Sequence, residues 1–230
     1  MPKKGSNARP DQPRKSFVAL AAEATAQSDP SLIGKLPEDI LAEYEVREWK
    51  HASAILRSDF PAELDDILQV LRSFRLNQAD VEAGGGGKSE MSKWIDSQFF
   101  SRGWTKKRWT TQIVVDGHPT ESPTHEVDCF KNRVALEIEW SNKDPFYDRD
   151  LNNFRLLFDL RVISVGVIIT KSDELAAVFN DLGIWDKYGT STTWMSKLIP
   201  RVQGGGGGGC PLLVIGIRRS RFVPTQRGTR

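Results

Sequence analysis

The sequence predicts an α/β fold in which a mixed central β-sheet is flanked by helices. Three stretches carry this prediction. Apolar residues alternate along 134–140, which is the period of a strand. Large apolar residues then recur with helical spacing over 147–158, and the run VISVGVIIT at 162–170 has the composition of a fully buried strand. A hairpin, a helix and a buried strand in this order predict a central sheet with helices on its faces.

The first strand belongs to a hairpin that gathers carboxylates. Asp128 lies nine residues before Glu137, and Lys-Asn-Arg at 131–133 is a polar turn between two pairing segments. Glu137 and Glu139 project to one face, because successive side chains of a strand alternate between its faces. The turn would bring Asp128 beside Glu137, and the three acids would then form one cluster.

Like charges held a few ångströms apart destabilise a fold unless a cation sits among them. Mg²⁺ suits such a place, because it binds carboxylates together with waters and phosphate oxygens. The alternative is that Glu137 and Glu139 form the solvated face of an edge strand. Spacing alone leaves both interpretations open.

The residues around the hairpin, VDCFKNRVALEIEWSNKDPF, resemble the active-site core of the PD-(D/E)xK nucleases. Glu139 stands where most of these enzymes have lysine. This departure is similar to the type II restriction endonucleases of the BglII, BstYI and BamHI group, which carry Gln or Glu there. The resemblance covers the second half of the chain well and is weaker before Lys88.

This resemblance implies a restriction-endonuclease-like core and Mg²⁺-dependent, sequence-specific hydrolysis of double-stranded DNA that leaves 5′-phosphates. It implies that Asp128, Glu137 and the carbonyl of Ile138 hold one or two Mg²⁺ ions. Glu139 would polarise the attacking water or bind a second ion. In this group a helix glutamate often approaches the metal, and Glu90 is the candidate, although it is equally suited to the first turn of a helix.

The resemblance also implies a homodimer on a palindromic site, with a GATC-like centre as the candidate sequence. A separate DNA methyltransferase would be the cognate partner. No stretch approaches 18 apolar residues and the N-terminus lacks an apolar signal core, so we expect no membrane association and a bacterial cytoplasmic location.

Residues at the end of the catalytic strand are candidates for DNA contact. Asn142 matches the place of a base-reading asparagine in the resembling group, and asparagine can pair with an adenine edge. Ser141 or Asn142 could instead cap the following helix. Further along, 185–203 is predicted to be an irregular polar recognition loop. The predicted DNA-binding residues are Ser141, Asn142, Lys143, Tyr188, Thr190, Ser191, Thr192 and Lys197.

The remaining pattern predicts further elements around this core. The glycine-rich stretch 83–89 departs from a P-loop, because the first glycine of that motif would fall at Glu82. Asp59 is a candidate cap for a helix with Pro61 in its first turn. The six glycines at 204–209 are expected to be a flexible connector. Helices are predicted over 38–56, 62–74, 88–100, 145–160 and 171–182, and strands over 110–115 and 211–217.

Charge and length suggest how the chain is divided. The formal net charge is +2, but 1–20 carry +4 and 218–230 carry +5, so the body is acidic at −7. Basic ends would add salt-sensitive affinity for DNA. We expect a flexible basic arm, a single endonuclease domain and a basic tail. The arm would be 1–30 and the tail 218–230. The endonuclease domain would be 31–217, with a helical part at 37–80 and a catalytic core at 88–217.

Cysteine and histidine patterns exclude some chemistry. Cys129 and Cys210 lie far apart without CxxC spacing, which predicts two reduced thiols in or near the core. No histidine pair has ligand spacing, so a zinc site is disfavoured. Two other functions stay open on sequence: a nuclease of the same fold with a repair or defence role, and a noncatalytic DNA-binding module.

Overall fold

The computed structural model describes residues 28–83, 87–121 and 124–225. Within these ranges the strands are β1 (Tyr44–Trp49), β2 (Leu76–Asn77), β3 (Thr105–Lys107), β4 (Gln112–Val115), β5 (His118–Glu121), β6 (Val127–Lys131), β7 (Val134–Ile138), β8 (Val165–Lys171), β9 (Leu212–Ile217) and β10 (Phe222–Val223). The α-helices are α1 (Glu38–Glu43), α2 (Ala52–Asp59), α3 (Pro61–Ser73), α4 (Gln78–Glu82), α5 (Glu90–Phe100), α6 (Phe146–Asp159), α7 (Leu175–Asp181), α8 (Trp185–Tyr188) and α9 (Met195–Gln203).

A six-stranded mixed sheet, in the order β1-β9-β8-β7-β6-β3, forms the centre of the protein. Strands β7, β8 and β9 are parallel to one another, and the outer strands pair antiparallel. β7, β8 and β9 are buried along their whole lengths, as parallel strands covered on both faces must be. The predicted α/β class with a mixed central sheet is confirmed.

Alternate residues of the sheet pack into two cores, one on each face. On β7, Leu136 belongs to the core beneath α3 and α5, whereas Ala135 faces the core beneath α6 and α9. Glu137 and Glu139 follow the parity of Ala135 and therefore lie on the α6 side. Since β7 is an interior strand with cores on both faces, the solvated edge-strand interpretation is wrong.

The predicted turn between β6 and β7 is a two-residue connection. Asn132 and Arg133 have φ of 42° and 70°, the left-handed pair that a type I′ hairpin turn requires. The register pairs Cys129 with Leu136, which sets Asp128 opposite Glu137 as predicted from the sequence.

The predicted helix over 38–56 is wrong in its middle. It is divided into α1 and α2 by β1, which pairs antiparallel with β9 at the edge of the sheet. Tyr44 and Val46 are buried there, so the predicted helical part at 37–80 contributes a strand to the central sheet. Asp59 ends α2 and caps nothing, because Phe60 is the N-cap of α3.

Other helices agree with the sequence. α3 begins at Pro61, α5 is capped by the side chain of Ser89, and α6 ends one residue before Leu160. The helix predicted over 171–182 is shorter, since Lys171 ends β8 and α7 begins at Leu175.

Two predictions for 185–209 are wrong. The segment 185–203 contains α8 and α9. Tyr188 at the end of α8 is buried, as are Thr192 and Trp194 in the connection to α9. The six glycines form a run of turns packed against α6 and β9, not a free connector. A Cβ added at Gly207 would lie 2.7 Å from a methyl of Leu212, so this close approach requires glycine.

The described part of the predicted basic tail, 218–225, is folded onto the body. Arg221 is buried and donates to backbone oxygens of Leu71, Arg72 and Phe74, and β10 pairs with β2. The predicted arm lies outside the described residues up to 27. Both cysteines are buried free thiols, as predicted. Across the described ranges, no helix combines the length and apolar character needed to cross a bilayer.

The packing of α6 on β8 gives a test of the fold. A Cβ at Gly166 would lie 2.6 Å from the Phe154 ring and 2.9 Å from Leu212. We expect Gly166→Ala to lower the free energy of unfolding by about 1–3 kcal/mol through overpacking, measured by urea denaturation. Adding Phe154→Leu should recover part of that loss, and strictly additive effects would contradict this origin.

Candidate active site

Asp128 and Glu137 lie side by side at the α6 face of the hairpin. The backbone N–H of Asp128 donates to Glu137 Oε2 at 3.3 Å, and the N–H of Ile138 donates to Asp128 Oδ2 at 3.2 Å. Both carboxylates are thus oriented by the strands that carry them. Glu137 is only 2% exposed, while the side chain of Asp128 reaches the solvent side of the cleft with 22% exposure.

Glu139 continues the same face and meets a fourth acid, Asp150 of α6, within hydrogen-bond reach. Asn142 donates to Glu139 Oε2 at 2.9 Å, and Arg149 lies 3.5 Å from Oε1. Arg149 also pairs with Asp150 Oδ1 at 2.8 Å. The structure therefore brings the three predicted acids together and adds a fully buried one.

Asp150 was missed from sequence, although its position carried a signal. It lies three residues after Tyr147 and four before Phe154, on the apolar face of α6. An ionisable residue on a buried helical face needs a partner or a function. Its proximity to Glu139, however, depends on how α6 packs on the sheet.

Burial and mutual repulsion perturb these acids. Burial, followed by the charges of Asp150 and Asp128, raises the pKa of Glu137 well above its usual value. Burial and the neighbouring Asp150 raise the pKa of Glu139 to about 9. Burial also raises the pKa of Asp150. Glu137 and Glu139, with pKa values raised by burial and by charged neighbours at the wall of a cleft, make this place a candidate functional site.

Asp128, Glu137 and Glu139 line a cleft of about 270 Å³, to which His125, Ser141 and Phe146 also contribute, and Asp150 is buried behind Glu139. Glu137 Oε1 and Asp150 Oδ2 are buried oxygens without a hydrogen-bond partner. Buried acceptors of this kind are normally satisfied, and hard divalent cations prefer oxygen ligands. The donor set thus fits a divalent ion, although within the described ranges no three His, Cys, Asp or Glu residues are already arranged around one point.

Two lysines border the cluster. Lys88 Nζ lies 3.1 Å from Asp128 Oδ1 and 2.5 Å from Asp96 Oδ2. Lys106 Nζ is 4.0 Å from Asp128 and 3.6 Å from Glu126. Lys88 follows the glycine-rich stretch, so the loop that lacks the P-loop spacing delivers a cation to the carboxylates.

Glu90 is not brought to the cluster. Its side chain is 59% exposed in the first turn of α5 and pairs with Lys93 at 2.7 Å. Glu90 therefore lies where a plain first-turn acid would lie, and the acid of α5 that approaches the site is Asp96, six residues later.

Residues 139–143, which follow β7, and residues 190–193, which we call the 190s segment, are joined by hydrogen bonds into one frame. Lys143 donates to Ser191 Oγ at 2.9 Å, and Thr193 N donates to Asn142 O at 3.0 Å. Buried Lys171 donates to the carbonyl of Trp140 and to Thr193 Oγ1. The capping alternative is wrong, because Pro145 is the N-cap of α6 and no side chain caps it.

The predicted DNA-binding residues divide by exposure. Ser141, Lys143, Thr190 and Ser191 are exposed beside the cleft, and Asn142 lines it. Lys197 pairs with Asp144 at 3.0 Å. Tyr188 and Thr192 are buried and do not face the cleft; the Tyr188 hydroxyl donates to Val81 O.

A mixed sheet with a β-hairpin, helix and parallel strand, carrying buried acids at one face, defines the restriction-endonuclease-like class of nucleases. Residues 44–217 match the model of the restriction endonuclease BglII/BglIII family. The chain belongs to this family and is a type II site-specific deoxyribonuclease whose substrate is DNA. Restriction endonucleases of this family generally use divalent metal ions. A search of curated proteins found no match.

The raised pKa of Glu139 makes a prediction about stability. Above the unfolded pKa of about 4.3, the folded chain holds a proton that the unfolded chain releases, so the free energy of unfolding falls as pH rises towards 9. We expect Glu139→Gln to flatten this fall between pH 5.5 and 9, measured by urea denaturation in EDTA.

Exposed Glu38→Gln is the matched control, since it removes one carboxylate away from the cluster. Equal slopes for the wild type and Glu139→Gln would show that Glu139 does not titrate in this window.

Proposed function

We propose that this endonuclease uses Mg²⁺ to hydrolyse double-stranded DNA at a palindromic site, as a homodimer in which each subunit cuts one strand and leaves a 5′-phosphate. The observation that carries this proposal is the Asp128–Glu137 pair, in which Glu137 is buried and its Oε1 has no hydrogen-bond partner. A fixed carboxylate pair with an unsatisfied oxygen is the chemistry of a cation site.

In this proposal Asp128, Glu137 and the carbonyl of Ile138 hold the cation. A bound divalent ion supplies electrostatic stabilisation of the phosphate and lowers the pKa of a water. The hydrogen bonds from Ile138 N and Asp128 N orient the two carboxylates before any ligand arrives. The burial of Glu137 and Glu139 strengthens the charge interactions of these two carboxylates.

Glu139 is the proposed acceptor of the proton of the attacking water, with binding of a second ion as the alternative role. Asn142 and Arg149 contact the two oxygens of this carboxylate. Because its pKa is raised to about 9 in the chain without an ion, Glu139 must first lose its proton, which a neighbouring cation would favour, before it can accept one from water. Asp150 acts as a positioning residue through Arg149. Glu90 remains a candidate only if α5 or its side chain moves on DNA binding.

Recognition is proposed to come from the frame beside the cleft. Asn142 and the exposed Ser141, Lys143, Thr190 and Ser191 are positioned for base or phosphate contact, and Lys197 for phosphate contact. Tyr188 and Thr192 would support this surface from below. A GATC-like centre remains the candidate sequence from the family resemblance, and a separate methyltransferase would protect host DNA.

Cleavage of phage DNA tests the proposed site. Discrete fragments are expected in Mg²⁺ and none in EDTA, and Asp128→Asn or Glu137→Gln should slow cleavage by roughly 10²-fold or more, because the metal contributes several kcal/mol to transition-state stabilisation. Glu38→Gln is the matched control. Unchanged rates in both cluster variants would refute this site, and a smear of fragments would contradict cleavage at a fixed palindromic sequence.

Asn142 is expected to contribute to both specificity and rate. Asn142→Ala should reduce discrimination between the cognate site and single-base variants by about 1–3 kcal/mol. It should also lower kcat by freeing Glu139. Ratios of kcat/KM on cognate and near-cognate duplexes measure the first effect. Exposed Asn152→Ala on α6 is the control, and a lower rate with unchanged ratios would leave Asn142 an orienting residue only.

A further inference from the structure

We propose that Lys88 is an internal cation bound to Asp128 that competes with a divalent ion for this carboxylate, so that this lysine sets the metal affinity of the site. The inference rests on the proposed function, because it takes Asp128 as a ligand. It assigns a task to the loop after α4 that neither the fold nor the family membership gives it.

Both oxygens of Asp128 are engaged. Oδ2 accepts from the backbone N–H of Ile138, and Oδ1 accepts from Lys88 Nζ at 3.1 Å. A divalent ion bound to Oδ1 at about 2.1 Å would lie within about 5 Å of the ammonium group, which is 3.1 Å from the same oxygen. Because two cations this close repel each other, Lys88 and the ion compete for Asp128.

Asp96 gives Lys88 another acceptor. Its Oδ2 lies 2.5 Å from Nζ, closer than Asp128, and Asp96 is only 6% exposed. The ammonium can therefore leave Asp128 without losing its ion pair. Asp96 also needs this cation, since an unpaired carboxylate at that depth is costly. The two acids and the lysine thus form a switchable triad, and only one of its acids faces the carboxylate cluster.

The other cations near the cluster have different contacts. Lys106 approaches Asp128 only to 4.0 Å and its side chain is 46% exposed. Arg149 pairs with Glu139 and Asp150, on the α6 side of the cleft. Among the residues that the structure describes, Lys88 has the shortest ion pair to Asp128. Removal of its charge should therefore tighten metal binding more than removal of the neighbouring lysine.

Binding of Mn²⁺ to the full chain without DNA tests this, with free Mn²⁺ followed by electron paramagnetic resonance. Lys88→Met is expected to lower the Kd by about three- to tenfold, the effect of a partly exposed ion pair. Lys106→Met, which removes a charge 4.0 Å from Asp128 that makes no hydrogen bond to it, should change the Kd twofold or less. Lys88→Gln should behave like Lys88→Met and guards against a folding artefact.

Each outcome is decisive. A Kd unchanged or raised in both Lys88 variants would overturn the inference while leaving the metal site intact. An equal decrease in Lys88→Met and Lys106→Met would also overturn it, since a general field and not the contact would then set affinity. If Asp128→Asn binds Mn²⁺ as the wild type does, or neither binds, both this inference and the proposed site fail.

Discussion

Burial of like charges is the constraint on which the rest of this structure depends. Glu137, Glu139 and Asp150 are each at most 2% exposed, and they converge where α6 crosses β7. The surrounding packing holds this cluster in place. β7 is an interior strand, and Gly166 of β8 lets α6 pack closely against the sheet. Acids kept at this depth lower stability and are retained for function.

Different cations contact different acids of the site. Arg149 is bonded to the acids of the α6 side, whereas Lys88 bridges the acid of the hairpin and Asp96 of α5. The charge of the cluster is therefore partly balanced before any ion or DNA arrives. Because Arg149 belongs to α6 and Lys88 to the loop before α5, this balance depends on how α5 and α6 pack on the sheet.

Catalytic and recognition candidates share one rigid frame. The carbonyl of Trp140, which directly follows Glu139, accepts from buried Lys171 and from Thr193 Oγ1, and Asp144 N donates to Ser191 O. A shift of the 190s segment would therefore be transmitted to the end of the catalytic strand. Burial strongly lowers the pKa of Lys171. Its side chain is held by hydrogen bonds to a backbone carbonyl and a hydroxyl oxygen and not, within the described residues, by an ion pair with a carboxylate.

The sequence by itself determined the hairpin, its polar turn, the helix after it and the order that led to the mixed sheet, because these depend on local periodicity and turn chemistry. It also placed Asp128, Glu137 and Glu139 on one face. Only the tertiary structure decided that β1 interrupts a helical pattern, since β1 is stabilised by pairing with β9 more than 160 residues later. Likewise, Asp150 and Lys88 join the site through packing of α6 and the loop before α5, which no local pattern encodes.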